Sequence, residues 1–313
     1  MTVKHQRIDL HGIMYARFMM DLSALRSLEA VDVHGSVVAA AEALGFTPSA
    51  VSQQIKRLER QSGVTLLERV GRGVILSGPA RILVEEGARI AADLERLETD
   101  LHAHAGEVTG DLVLIGFSTA MRGLIGPVAA DLMERHPGLR IRLREVEPWQ
   151  AVDEVAAGQA DVAVVHRWGD VPIAIPDHLD RAGVHRDEAE VIVRRDHRLA
   201  GRRTVRPKDL VDERWIATPE GTICRQWLMR MYAGTGRLPV IEHTSMEFDS
   251  HLALVAAGLG IALVPRLGRS PLPEGTCAIA VTDPVPEREV LAVWRRSQGR
   301  SPAVRALVAR LSG

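Results

Sequence analysis

The segment Val37 to Lys56, which reads VVAAAEALGFTPSAVSQQIK, constrains the fold of this chain more than any other segment. It predicts two short helices joined by a sharp turn, because Gly45 supplies the positive φ that such a turn needs. Ala41 is small enough for the two helices to touch there. The apolar side chains expected to close the small core are Leu44, Phe46 and Val51. Such a unit places its second helix in the major groove of DNA, so the segment predicts a helix-turn-helix.

The second helix of this unit begins with small polar side chains, which reach base edges in helix-turn-helix proteins. The residues predicted to face the bases are Pro48, Ser49, Ser52 and Gln53. The remaining predicted DNA contacts are Ser36, Lys56, Arg57, Arg69 and Arg72, with Ser36, Arg69 and Arg72 on phosphates. The alternative is that Ser52 and Gln53 are ordinary solvated helix residues.

A predicted strand-turn-strand follows this unit, in the segment LLERVGRGVIL from Leu66 to Leu76. Gly71 and Gly73 flank Arg72 at its tip, which is typical of a basic wing beside a recognition helix. From Phe46 to Arg81 there are six lysines or arginines and two glutamates, although the whole chain has a net charge of −1. The positive charge is therefore local, as expected when one small module contacts nucleic acid.

Residues from Met20 to about Leu101 resemble the N-terminal part of a LysR-type transcriptional regulator. The resemblance rests on MDLSALRSLEAV, on GSVVAAAEAL with Ser36 as N-cap, on TPSAVSQQIKRLE and on LLERVGRGVILSGPA. Two positions depart from the family pattern: Leu67 stands where an aromatic residue is usual, and Ser77 replaces a threonine. The resemblance implies a sequence-specific DNA-binding regulator whose activity responds to a small molecule.

The resemblance also predicts an α+β multidomain fold. Its parts are a winged helix-turn-helix domain at 20–77, a dimerising linker helix at 78–105 and an effector-binding domain at 106–313. Residues 1–19 are expected to be a disordered extension that reflects an upstream start codon. They lack the apolar core and cleavage site of a signal peptide. The two cysteines, Cys224 and Cys277, cannot form a disulfide framework, and no run of 18 apolar residues is present, so a cytoplasmic protein is predicted.

Leucines and an isoleucine recur along the predicted linker helix at spacings of seven, four, three and four residues. They are Leu83, Ile90, Leu94, Leu97 and Leu101. This pattern is typical of a coiled-coil seam, and a dimer would space two recognition helices for a palindromic operator. The sequence thus predicts a homodimer and, from the resemblance, a dimer of dimers. The alternative is a single amphipathic helix that packs on its own domain.

From Gly110 onward, apolar strands alternate with helices, which predicts a mainly parallel sheet covered by helices. Two such sets resemble the two-lobed, periplasmic-binding-protein-like effector domain of the same family. Lobe I is predicted at 106–166 and 268–313, with the strand CAIAV counted in it, and lobe II at 167–267. Ligands in such folds bind at the carboxyl ends of strands.

Hydroxyl, imidazole and guanidinium groups follow the predicted strands of both lobes. The candidate effector-binding residues are Ser118, Thr119, His166, Arg167, Thr218, Thr244 and Ser245. Hydroxyls at helix starts and a cation suit a small polar or anionic effector. The alternatives are that the hydroxyls serve only as helix caps and that His166 simply ends a strand at the surface.

Other functional classes have less support in the sequence. Cys224 lies at a place similar to the peroxide-reactive cysteine of redox-sensing relatives, but their partner cysteine is replaced by Ala233, so an inert thiol is predicted. The histidines lack metal-ligand spacing, and no metal or cofactor is predicted. GxSxG and HExxH motifs and phosphate loops are absent, which disfavours an enzyme. A solute-binding protein and an architectural DNA binder remain the competing classes. RNA polymerase is a further partner implied by the resemblance, and no membrane contact is expected.

Overall fold

The computed structural model describes residues 21–70 and 73–313. The predicted extension at 1–19 and the wing residues Gly71 and Arg72 lie outside the described residues. The chain divides into two compact units, with the boundary between Leu97 and Glu98.

Three helices form the first unit: α1 (Leu22–His34), α2 (Val37–Leu44) and α3 (Pro48–Ser62). Each begins with a side chain that accepts a hydrogen bond from the first turn, which satisfies a free backbone N–H. Each ends at a glycine in the left-handed region. The capping residues are Asp21, Ser36 and Thr47, and the final glycines are Gly35, Gly45 and Gly63. The predicted turn at Gly45 is confirmed, with a φ of 68°.

The core of these helices contains Ala41 and Val51 as expected, but Phe46 is 47% exposed, so its predicted core position is wrong. Its backbone N–H donates to the Ala41 carbonyl (2.8 Å) and closes the turn after α2, which leaves the ring at the surface. Leu28 and Leu58 are fully buried and fill the space instead.

The wing is an antiparallel pair, β1 (Leu67–Val70) and β2 (Gly73–Leu76), as predicted. Glu59 on α3 accepts a hydrogen bond from the Leu66 N–H (2.8 Å), which fixes where the wing leaves the helix. Ser77 then accepts from the Ala80 N–H (3.2 Å) and starts α4 (Gly78–Ala105).

The predicted seam of α4 divides into two parts. Leu83 is half-buried against the core of the helix-turn-helix unit. The other four members are exposed apolar side chains: Ile90 (49%), Leu94 (42%), Leu97 (57%) and Leu101 (65%). Dimerisation through this seam stays a prediction.

The second unit starts with parallel strands in the order β4-β3-β5. The strands are β3 (Gly110–Gly116), β4 (Leu139–Glu145) and β5 (Val162–Trp168). The helices between them are α5 (Ser118–Ala120), a π-helical turn (Met121–Ile125), α6 (Gly126–Arg135) and α7 (Pro148–Ala156). Their apolar faces pack on the sheet, so this part forms the first lobe.

A strand of 16 residues, β6 (Leu179–Arg194), runs through both lobes. Its first half pairs with β12 (Glu287–Arg295), and its second half pairs with β10 (Ile261–Pro265) and β11 (Thr276–Val281). The apolar segment AEVIVR, at 189–194, predicts only the second half as strand. The other elements are β7 (Thr204–Val205), β8 (Arg214–Ala217), α8 (Ile223–Met231), β9 (Val240–Thr244), α9 (Phe248–Ala256) and α10 (Pro302–Leu311).

One predicted lobe boundary is wrong. The strand CAIAV, now β11, pairs with the second half of β6 and with β7, so it belongs to the second lobe. The first lobe resumes with β12, which lies between β5 and β6. The register shift on β12 between Val290 and Leu291 falls within its pairing with β6.

No helix within 21–70 and 73–313 is long and apolar enough to cross a membrane. The same residues contain no group of three or more histidine, cysteine, aspartate or glutamate side chains that could hold a metal ion.

Candidate DNA-binding surface and effector cleft

The start of α3 presents a polar surface next to a buried apolar face. Val51, Ile55 and Leu58 point into the core. Residues three and four apart lie on one side of a helix, so the predicted contacts form one stripe on the opposite side. Pro48, Ser49, Gln53, Lys56 and Arg57 are exposed, and Ser52 is half-buried. The local capping network supports this stripe, since the hydroxyls of Ser49 and Thr47 lie 3.0 Å apart.

The predicted phosphate contacts lie on neighbouring elements. Ser36 caps α2 by accepting from the Ala39 N–H (3.1 Å), so its hydroxyl already has a structural role at a helix start. Arg69 is exposed on β1. Arg72 lies outside the described residues. The contacts of all these side chains with DNA stay predictions.

The carboxyl ends of the strands of both lobes meet at the junction between the lobes, where a buried ion pair lies. Arg288 on β12 and Asp187 on β6 are 1% and 2% exposed in their side chains, and Arg288 Nη2 lies 2.7 Å from Asp187 Oδ2. Arg288 Nε donates to the same oxygen (2.8 Å), and the Leu267 N–H donates to the other (2.9 Å). Arg288 Nη2 also donates to the hydroxyl of Thr119 (2.8 Å). One network therefore joins both long strands, the first lobe and the second.

Aromatic rings surround the guanidinium. Arg288 Cζ lies 5.0 Å from the centre of the Phe117 ring and 5.7 Å from that of Trp168. Trp168, at the end of β5, stacks on Trp227 of α8 with 6.1 Å between ring centres. Ring faces attract a cation, and burial strengthens that attraction. Burial lowers the pKa of Arg288, while Asp187 opposes this shift.

His166 and Cys224 are neutral members of this junction. Burial, with a smaller contribution from the charge of Arg288, lowers the pKa of His166 well below its usual value. The ring packs edge-on against Phe117 at 4.5 Å, and its Nδ1 has no hydrogen-bond partner. Burial raises the pKa of Cys224 to about 11, so this thiol is a weak nucleophile at neutral pH.

The structure brings together some of the predicted effector residues. Thr119 and His166 lie at the Arg288 network. Thr218 lines a small adjoining cavity with Trp168, Cys224, Trp227 and His251. The Thr218 and Thr222 hydroxyls are 2.7 Å apart.

The other predicted residues are less central. Ser118 is half-buried at the start of α5 and is adjacent in sequence to Thr119. Arg167 points to the surface and forms an ion pair with Glu289 at 2.6 Å. Thr244 is exposed at the end of β9, and the carbonyl oxygen of Ser245 pairs with His251 Nε2 at 2.9 Å. Among the described residues, no side-chain hydrogen bond or ion pair joins Arg167, Thr244 or Ser245 to Arg288, Asp187 or Thr119.

Sequence reasoning missed Arg288, Asp187, Trp168 and Trp227. The segment EREVLAVW begins with three consecutive charged residues, so its pattern predicts that Arg288 lies at a solvated strand end. A signal was present in Trp168 and Trp227: tryptophan makes up five of 313 residues, and Trp168 ends a strand where ligands bind in such folds.

Comparison with known families decides the identity of the chain. The model for the bacterial regulatory helix-turn-helix protein, lysR family, matches residues 22–81, and the model for the LysR substrate binding domain matches residues 105–313. The chain belongs to the LysR family. It is a DNA-binding transcriptional regulator with an effector-binding domain, which confirms the resemblance, the fold class and the function predicted above.

Two relatives illustrate the similarity to other LysR regulators. The small neutral protease regulatory protein of Streptomyces coelicolor is 30% identical over 283 residues, which cover 89% of this chain and 83% of that protein. The HTH-type transcriptional regulator ShiR of Corynebacterium glutamicum is 28% identical over 265 residues, which cover 83% and 88%.

Solved structures agree on the fold. A full-length OxyR variant from Pseudomonas aeruginosa has a TM-score of 0.68 at 18% identity, covering 94% of this chain and 98% of that one. Full-length CbnR complexed with its target DNA has a TM-score of 0.55 at 19% identity, covering 93% and 98%.

Proposed function

We propose that this LysR regulator reads its operator through Pro48, Ser49, Ser52 and Gln53, and responds to a small polar or anionic effector in the cleft between the lobes. The observation that carries the DNA part is the exposed polar stripe at the start of α3, backed by a fully buried apolar face. A rigid, capped helix holds these side chains in place, which is what direct readout of base edges requires. In this proposal the regulator binds DNA in the cytoplasm and catalyses no reaction.

The test of direct readout is Gln53→Ala. Glutamine pairs with adenine through two hydrogen bonds, and a good base contact contributes about 1–3 kcal/mol of discrimination. The ratio of operator to scrambled-DNA affinity should therefore fall roughly five- to 150-fold, while affinity for scrambled DNA stays nearly unchanged. The matched control is Gln61→Ala, on the same helix but about 12 Å further along its axis. Unchanged discrimination in Gln53→Ala would rule out this role.

The effector part rests on the polar network at the junction of the lobes. Thr119 is buried, and its hydroxyl accepts a hydrogen bond from Arg288 Nη2. Among the described hydrogen bonds, this one alone connects the start of α5 with Arg288. A ligand that contacts both lobes favours one arrangement of them, and that difference in affinity shifts the state of the regulator. Thr119→Val keeps the side-chain shape, so it should abolish the effector response and preserve DNA binding.

The response is measured as the change in operator affinity upon adding each of a panel of small carboxylic and amino acids. Thr244→Val, an exposed position in the same domain, is a second variant. A response fully retained in both variants shows that the pocket lies elsewhere.

The partners are double-stranded DNA with a palindromic operator and a second copy of the chain, with a dimer of dimers as the assembled form. The exposed seam on α4 supports the dimer, because Leu94 and Leu97 are apolar, are adjacent on the helix surface and are about half exposed. RNA polymerase is the further partner when the regulator activates transcription. DNA as a partner is supported by CbnR, a LysR family regulator of similar fold, because a structure of full-length CbnR contains its target DNA.

A further inference from the structure

Three nitrogen donors at the junction of the lobes are buried and have no hydrogen-bond partner. They are Nη1 of Arg288 and the indole Nε1 atoms of Trp168 and Trp227. The sulfur of Cys224, a weak acceptor, interacts with the Trp168 side chain. Guanidinium and indole nitrogens donate hydrogen bonds and cannot accept them. Because an unpaired buried donor is costly, the missing partner has to supply acceptor atoms.

The two tryptophans line one small cavity, and Arg288 lies next to one of them. The rings of Trp168 and Trp227 are stacked, and Arg288 lies 5.7 Å from the Trp168 ring. The cavity beside them measures about 20 Å³, which is room for a single water molecule. Trp168 ends a strand of the first lobe and Trp227 lies on α8 of the second, so separation of the lobes widens this cavity. The remaining lining is mostly apolar: Ile216, Leu228, Phe248 and Leu263.

The charges at the junction do not suit a simple anion. Asp187 already neutralises Arg288 at 2.7 Å, so an added anion would bring an uncompensated negative charge into a buried place. Carboxylates stand nearby as well. Glu147 follows the carboxyl end of β4, and it acts electrostatically on the Cys224 thiol, as Arg288 does. The N–H of the preceding residue, Val146, donates to the Gly116 carbonyl (3.0 Å), which brings Glu147 to the same end of the sheet as Phe117, whose ring centre lies 5.0 Å from Arg288 Cζ.

Glu147 lacks a cationic partner. No ion pair joins it to a lysine, arginine or histidine within 21–70 and 73–313, whereas Arg122 reaches its neighbour Glu247 at 3.8 Å. Burial, with repulsion from Glu145 and Glu247, raises the pKa of Glu147 above its usual value. A ligand with a positive group would relieve this repulsion. The junction therefore presents free donors at Arg288 and a free carboxylate at Glu147.

We propose that the effector is a zwitterion, an amino acid with an apolar side chain. Its carboxylate accepts hydrogen bonds from Arg288 Nη1 and the indole N–H groups of Trp168 and Trp227, and its ammonium pairs with Glu147. The apolar lining of the cavity receives the side chain. This inference rests on the proposed function of the cleft, and narrows the effector to a class that adds no net charge.

Isothermal titration calorimetry of the full chain tests the inference. The probes are alanine, valine, leucine, isoleucine, methionine and phenylalanine. For each amino acid that binds, the N-acetyl derivative lacks the ammonium and the corresponding primary amine lacks the carboxylate. A hydrogen bond to a charged group contributes about 1.5–3 kcal/mol, so at least one amino acid should bind at least roughly tenfold more tightly than either analogue. Absence of binding by all six amino acids, or equal binding of the N-acetyl derivative, overturns the inference.

Two variants assign the charges. Glu147→Gln should weaken binding of the amino acid at least roughly tenfold and leave the N-acetyl derivative unaffected, because only the ammonium contacts Glu147. Trp227→Phe keeps an aromatic ring but removes one hydrogen-bond donor, so it should weaken binding of the amino acid and of the N-acetyl derivative alike. The matched controls are Glu274→Gln, an exposed carboxylate elsewhere, and Trp294→Phe, which removes a buried indole N–H outside the cleft. Controls that weaken binding as much as the two variants overturn the assignment.

Different results exclude the zwitterion and the effector cleft. If an N-acetyl amino acid or another simple anion binds and changes operator affinity, the effector cleft stands and the zwitterion is wrong. If amino acids bind but Thr119→Val and Thr244→Val both keep a full DNA response, the proposed cleft is wrong as the regulatory site.

Discussion

The buried ion pair at the lobe junction makes a sharp prediction for Asp187→Ala. In the native protein the Asp187 carboxylate accepts from Arg288 Nε (2.8 Å) and from the Leu267 N–H (2.9 Å), while Arg288 is 0% exposed. Truncation leaves the guanidinium buried without its counter-charge. Breaking such a pair costs about 3–5 kcal/mol of the free energy of unfolding. For a unit of this size, that should lower Tm by about 6–20 °C.

Tryptophan fluorescence is the assay, because it reports only on the second unit. All five tryptophans lie there: Trp149, Trp168, Trp215, Trp227 and Trp294. The thermal transition followed at the emission maximum therefore belongs to the effector-binding unit alone, because residues 1–97 contain no tryptophan.

A double variant separates lost charge pairing from lost packing. Asp187→Leu combined with Arg288→Met removes both charges and keeps side-chain volume, so it should recover most of the stability that Asp187→Ala loses. Two results would contradict a stabilising role for this ion pair: a change of less than about 1 kcal/mol in the free energy of unfolding of Asp187→Ala, or a double variant as unstable as the single one.

Three further predictions concern other parts of the chain. Arg69→Ala should weaken binding to all DNA sequences alike and reduce the slope of log K against log salt by about 0.9 per site, or twice that in a dimer. Arg142→Ala, which removes an exposed charge from the second unit, should leave that slope unchanged. An unchanged slope in Arg69→Ala contradicts the phosphate contact. The double variant Leu94→Glu with Leu97→Glu should sediment as a monomer, whereas Ala88→Glu, on another side of α4, should not. An intact dimer of the double variant contradicts dimerisation through the seam. Because burial raises the pKa of Cys224 to about 11, alkylation of this thiol by iodoacetamide should be slow at neutral pH. The alkylation rate should rise about tenfold per pH unit as long as the pH is below that pKa. Fast alkylation at pH 7 would contradict the buried thiol.

The parts of the fold that depend on local sequence could be predicted. The turn at Gly45 and the capped start of α3 arise from residues within a few positions of each other, so the spacing of those residues was enough to predict the helix-turn-helix and wing. Phe46 shows the limit even there. Its apolar side chain predicts burial, but the hydrogen bond that closes the turn directs the ring outward.

The effector cleft depends on contacts between distant residues. Asp187 and Arg288 are 101 positions apart, and Thr119 is 169 positions from Arg288. Nothing near Arg288 in the sequence distinguishes it from a solvated arginine, and only the pairing of β6 with β12 brings its counter-charge within reach. The first half of β6 was missed for a similar reason: its charged and glycine residues lack an alternating pattern, and β12 determines its strand conformation.

The long strand β6 also has a consequence for modular design. Glu188 and Glu287 lie directly opposite each other in the antiparallel pairing of β6 with β12. The chain therefore leaves the first lobe and re-enters it at adjacent points, and the whole second lobe is an insertion into one hairpin. A two-residue Asn-Gly turn between those positions matches the geometry of a tight hairpin. Such a shortened protein should keep the first lobe folded, with the cooperative thermal transition of a small α/β domain.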